Sequence, residues 1–128
     1  MKKLFCVLVL AGAVALQSVA FAGAVSTFSV YVAPGQAAYG ALKTARNSAN
    51  TTEWIGCSAF GATGGTATYV SCSAVDAAGN YFYCSTYNAA PQMVQAALAV
   101  TATSYLLINA DANYNCSYIL VGNYSQYS

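Results

Sequence analysis

Histidine is absent from this 128-residue chain, and charge nearly so: four basic and three acidic side chains make up 5% of it. Without imidazole the commonest general base and the commonest metal ligand are both missing. Four basic residues cannot form a stripe that tracks phosphates. That argues against nucleic acid as a partner, because such affinity comes mainly from neutralising backbone charge. No phosphate-cradling glycine loop, no strained serine elbow and no histidine-containing metal motif is present. These absences predict a non-enzymatic protein with no cofactor and no metal.

Lys2 and Lys3 open the chain, an apolar run extends from Leu4 to Leu16, and Ala20-Phe21-Ala22 fits a small-residue cleavage site. The pattern predicts a bacterial secretory signal peptide over residues 1–22. Its apolar run is shorter than the ~20 residues needed to span a bilayer, so no stable membrane insertion is expected after cleavage. Removing 22 residues from 128 leaves 106, a length that suits one small β-rich domain over residues 23–128. That remainder carries two bases (Lys43 and Arg46) and three acids (Glu53, Asp76 and Asp111), a net charge of −1. A secreted or periplasmic location follows.

Cys6 leaves with the leader, and Cys57, Cys72, Cys84 and Cys116 remain. Four cysteines in an exported chain predict two disulfides, which a core this small needs. Zinc is disfavoured because no two cysteines stand in a tight knuckle. Three pairings are open. Cys72 and Cys84 lie on one face of a predicted hairpin, which is compatible with a bridge between them and a second from Cys57 to Cys116. The alternatives are Cys57 with Cys72 plus Cys84 with Cys116, and the interleaved arrangement.

Period-two alternation dominates the rest. It predicts strands over Ser26–Ala33, with Phe28, Val30 and Val32 on one face, and over Thr52–Phe60, Thr66–Val75 and Tyr81–Tyr87. Gly64-Gly65 and the run Asp76 to Asn80 supply turns. Pro91 to Val100 changes period: Met93, Val94, Ala97 and Leu98 form an apolar stripe, predicting a short helix with Asn88 as cap. Ser104–Ala110 and Asn115–Gly122 complete a second hairpin, and Gln36 to Asn50 is ambiguous between loop and short helix. The expected fold is mainly β with an α+β element: a small antiparallel sheet or sandwich of five to six strands with one short helix, stapled by disulfides.

Among the chemistry-bearing residues, Asp76 and Asp111 fall in predicted turns, where aspartate bonds its own backbone. Glu53 and Arg46 flank the second strand and suit a surface ion pair. The tyrosines are the stronger signal: all eleven lie beyond residue 22, and Tyr69, Tyr81, Tyr83 and Tyr87 are expected on one face, opposite Cys72 and Cys84. Such a ridge offers stacking surfaces and hydroxyls to a glycan or a protein, although tyrosine also serves a sheet simply by covering it.

Ala45-Arg46-Asn47-Ser48, Ile55-Gly56-Cys57, Cys72 with Asp76-Ala77-Ala78-Gly79 and Cys84, then Ser104-Tyr105 and Cys116 resemble a pattern in a set of small exported bacterial proteins with no established activity. The resemblance implies an exported domain with a recurring cysteine framework and brings no catalytic residue. The expected role is surface contact, binding cell-envelope glycan or protein through the tyrosine face. The alternative is a structural subunit that self-associates into matrix or fibre through exposed sheet edges.

Overall fold

A computed structural model describes residues 26–61 and 68–127. The leader and the Gly64-Gly65 turn lie outside the described residues. Among the described residues, seven strands form two antiparallel sheets: β1 (Tyr31–Ala33), β2 (Ala37–Ala41), β3 (Trp54–Gly61), β4 (Thr68–Val75), β5 (Tyr81–Tyr87), β6 (Tyr105–Ala110) and β7 (Cys116–Gly122). The first sheet has the order β1-β2-β6-β7 and the second is the meander β3-β4-β5. Helix α1 (Leu42–Asn47) follows β2 directly, and α2 (Pro91–Leu98) lies between β5 and β6. The expected class holds, with seven strands in place of five or six and two helices in place of one.

Alternation builds the core. On β4, Val70, Cys72 and Ala74 point inward, and on β5 Phe82 and Cys84 do so; all are fully buried. Leu106 and Ile108 of β6 meet them from the first sheet, with Val30, Val32, Ala38 and Ile55 completing one cluster. α2 closes the cluster over β3, β4 and β7. Pro91 takes the first turn of α2, where its missing N–H costs nothing. Met93, Val94 and Ala97 pack on the core as their spacing requires, but Leu98 is exposed. It stands last in the helix, at the margin of the apolar stripe. Asn88 is not the cap: Ala90 holds that position without a side-chain bond. Asn88 instead takes a positive φ of 52° just beyond β5, a conformation asparagine tolerates.

Two expectations near the N-terminus are corrected. Only Tyr31–Ala33 of the first predicted strand pairs regularly, and Phe28 is exposed, its ring edge-on to Tyr105 at 5.3 Å. The ambiguous segment contains a strand as well as a helix. β2 is Ala-Ala-Tyr-Gly-Ala, weak strand formers apart from Tyr39, which take the conformation because β1 and β6 pair with them on both sides.

The disulfides are Cys57–Cys72 and Cys84–Cys116. The hairpin bridge Cys72–Cys84, compatible with the sequence pattern, does not form. Cys72 faces Cys57 on one side and Cys84 on the other in register. The Cα atoms of Cys57 and Cys72 are 4.0 Å apart, the approach of a non-hydrogen-bonded antiparallel pair. Alternation of the ladder makes Cys72–Cys84 the wider, hydrogen-bonded pair. Cys84 is therefore left to reach Cys116 in the other sheet, and the second bridge ties the two layers together.

Candidate functional site

The outward residues of β3, β4 and β5 stand in four cross-strand rows. Trp54, Val75 and Tyr81 make the first; Gly56, Ser73 and Tyr83 the second; Ser58, Ser71 and Ser85 the third; Phe60, Tyr69 and Tyr87 the fourth. Two aromatic rows thus flank a floor of serine and glycine. In the first row the Trp54 and Tyr81 rings are 6.4 Å apart. In the fourth, Tyr69 lies 5.8 Å from Phe60 and 4.8 Å from Tyr87. These are separations at which aromatic rings attract one another.

All four tyrosines singled out in the sequence share this face. Tyr81, Tyr83 and Tyr87 are exposed, Tyr87 most of all at 74%, and Tyr69 is half-buried between its neighbours. The hydroxyls of Tyr69 and Tyr83 meet at 2.8 Å and bridge the floor. The contact with Tyr83 raises the pKa of Tyr69 above the usual phenol value. Tyr83 is lowered, first by its bond with Ser85 and then by Tyr69. The Ser58 and Ser71 hydroxyls pair at 3.0 Å in the third row.

Trp54, Phe60 and Tyr114 complete the surface, and sequence reasoning passed over them. Trp54 and Phe60 were legible in principle, since both fall on the outward phase of β3. Tyr114 was not: it comes from the β6–β7 turn and meets Tyr81, Tyr83, Pro34 and Gly35 around a cleft of about 510 Å³ at the open side of β5.

The two turns that carry the aspartates share one plan. Oδ1 of Asp76 accepts the N–H groups of Ala78 (3.0 Å) and Asn80 (2.9 Å), and Oδ2 accepts Asn80 Nδ2 at 2.8 Å. Asp111 repeats this with Asn113 (2.8 Å), Asn115 (2.9 Å) and Asn115 Nδ2 (2.9 Å). The asparagine side chain in each turn, with the backbone donors, holds the carboxyl below its usual range. The position before that asparagine takes a positive φ in both: 85° at Gly79 and 60° at Tyr114. Glycine adopts this conformation freely, whereas a bulky residue pays of order 1–3 kcal/mol. Tyr114 holds it with its ring against Gly35, where an added Cβ would be 3.6 Å from Cε1. Such a conformation persists only where the surrounding structure holds it in place.

Arg46 and Glu53 do line one open groove, of about 330 Å³, with Leu42, Ala45, Trp54, Ile55 and Ala102. The expected Glu53–Arg46 ion pair is not what engages this carboxylate. Oε1 accepts the Val30 N–H at 3.0 Å, and Oε2 accepts Asn50 Nδ2 at 2.7 Å. Burial pushes the Glu53 pKa up, but bonds from Ser48, Asn50 and Val30 outweigh it and leave the group below its ordinary value. Glu53 is thereby a strut between β3 and the chain leading into β1. The sulfurs of Cys72, Cys84 and Cys116 lie within 4.8 Å of one another, but all belong to disulfides and offer no thiolate to a metal. No helix among the described residues is long and apolar enough to cross a membrane.

The opposite outer face also carries tyrosine: Tyr31 stacks on Tyr39 at 5.1 Å, and Tyr39 lies 6.5 Å from Tyr105. Register continues that row into Leu107 and Leu120, so it has no hydroxyl floor comparable to the serine row. No family model, no curated protein and no solved structure matches this chain.

Proposed function

We propose that this is an exported, non-enzymatic bacterial protein that binds a neutral glycan of the cell envelope through the outer face of the β3-β4-β5 sheet. The observation that carries the reading is the pair of aromatic rows separated by Gly56, Ser58, Ser71, Ser73 and Ser85, open at one side into the Tyr81–Tyr83–Tyr114 cleft. Aromatic faces suit the apolar faces of sugar rings, and the hydroxyl floor suits their alcohols. No charged side chain stands in the four rows, which favours an uncharged ligand over an acidic or basic one. The engagement of Asp76, Asp111 and Glu53 in structural hydrogen bonds supports a role without acid–base chemistry. The leader pattern and the two disulfides support a secreted or periplasmic location.

Replacement of Tyr81, Tyr83 and Tyr87 by serine, measured by pull-down against purified envelope polysaccharide, is expected to remove binding. Circular dichroism should show the sheet retained, because these rings are exposed, with the melting temperature lowered by the loss of their cross-strand contacts. Undiminished binding by the triple variant refutes the proposal. Binding confined to the protein fraction of the envelope replaces the glycan with a protein partner on the same face.

A further inference from the structure

A strand at the border of a sheet leaves every second N–H and C=O without a partner, and proteins blunt such borders with charge, proline, bulges, brevity or a covering loop. Three of the four borders here are treated in that way. β1 has only three residues. The β6–β7 ladder carries an irregularity at Asn109/Ala110. On β5 the Ser85 N–H is taken by the Tyr114 carbonyl at 2.9 Å.

β3 is different. It is eight residues long, Trp-Ile-Gly-Cys-Ser-Ala-Phe-Gly, with no charge and no proline, and its register with β4 runs unbroken from Trp54 to Gly61. The close Cys57–Cys72 approach identifies a non-hydrogen-bonded pair, so the main-chain groups of Cys57 point away from β4. Alternation gives Ile55 and Ala59 the same direction. Among the described residues, no main-chain bond satisfies these outward groups.

We infer that two copies of this chain pair antiparallel through β3 about a two-fold axis at Cys57, joining their three-stranded sheets into one of six strands. The strand is self-complementary about that centre. Cys57 faces its counterpart and Ile55 faces Ala59, each pair exchanging reciprocal N–H···O bonds. The intervening, closer pairs are Gly56 with Ser58 and Trp54 with Phe60 on the outer face. Trp54 and Phe60 are 44% and 59% exposed in one copy, and pairing sets each against the other, a favourable cross-strand combination. The Trp54–Tyr81 row of one copy would then continue into the Phe60–Tyr69–Tyr87 row of the next. The groove between α1 and the edge at Trp54 and Ile55 receives the small residues Ala59 and Gly61 of the second copy. This self-complementarity specifies a second copy in preference to an unrelated strand, and a net charge near zero opposes association little. The pairing does not depend on the glycan reading.

Sedimentation velocity of the oxidised protein over a concentration series is expected to show a reversible monomer–dimer equilibrium in the micromolar range or weaker, as befits a small interface. Ala59→Pro deletes an outward N–H in each copy while sparing the β4 ladder, and is expected to weaken the dimer about tenfold or more. Gly56→Lys provides a second variant, since a Cβ at Gly56 meets nothing within 4 Å; it sets a charge in each half of the seam. Amide exchange at Ile55, Cys57 and Ala59 should slow as concentration rises. A monomer throughout, an equilibrium unaffected by Gly56→Lys, or a dimer without that amide protection overturns the inference. The tyrosine triple variant should dimerise normally, which separates this test from the glycan test.

Discussion

Gly40 of β2 and Gly56 of β3 are both strand glycines, and the same change to alanine is expected to have opposite signs at the two. A Cβ on Gly40 would lie 2.9 Å from Val30 Cα, 3.1 Å from Val30 Cγ2 and 3.3 Å from the Ser29 carbonyl oxygen. The first of these is main chain, so no rotamer change relieves it. The segment is also pinned from both sides. The Val30 N–H is bonded to Glu53 Oε1 at 3.0 Å, and the Ala41 N–H to the Phe28 carbonyl at 2.9 Å. Overpacking of this kind costs roughly 2–3 kcal/mol, and the lower entropy of the unfolded alanine chain returns about 0.4–1 kcal/mol. The net loss is about 1–2.5 kcal/mol. At about 4–8 °C per kcal/mol for a domain of this size, Gly40→Ala should lower the melting temperature by roughly 4–20 °C. At Gly56 nothing lies within 4 Å of the added carbon. Only the unfolded-state gain remains there, and Gly56→Ala should raise the midpoint by roughly 2–8 °C. Thermal unfolding followed by circular dichroism on the oxidised protein, with urea titration to check that the m-value is unchanged, measures both. Shifts of the same sign, or a Gly40→Ala midpoint within a degree or two of the parent, would mean that Val30 does not crowd position 40.

Glu53, Asp76 and Asp111 have folded pKa values below their unfolded values near 4. Their stabilisation is therefore complete above the unfolded values and disappears as pH falls through the folded ones. With no histidine to titrate, the melting temperature should be level from pH 8 to about 5 and decline below about 4; a slope between 5 and 8 would contradict this. The disulfides close loops with sequence separations of 15 and 32 residues, worth roughly 3–4 kcal/mol each in the chain-entropy account, so full reduction should unfold the protein or lower its midpoint sharply. Because Cys84 and Cys116 are buried while Cys57 is half-exposed, alkylation and mass spectrometry during graded reduction should find Cys57–Cys72 opened first.

The β4–β5 hairpin was legible in the sequence. Tyr81–Cys84 alternates outward and inward, and the aspartate turn before it satisfies its own backbone, so local chemistry decides most of this region. The start of α2 was legible for a similar reason, since Pro91 suits only the first turn and Met93, Val94 and Ala97 share a helical face. The tyrosine face followed from the same alternation, because residues two apart on a strand must point the same way. β2 was not legible: alanine and glycine carry no strand preference, and Ala37–Ala41 is extended because β1 and β6 flank it. Pairing of the cysteines was equally beyond reach. Two cross-strand registers put Cys72 beside a cysteine, and only the alternation of close and wide pairs chose Cys57. Tertiary structure alone brought Tyr114 to the cleft that Tyr81 and Tyr83 line, since that depends on how one sheet lies over the other. Sequence periodicity thus determined which side chains share a face; the stacking of the two sheets decided which faces, edges and turns meet.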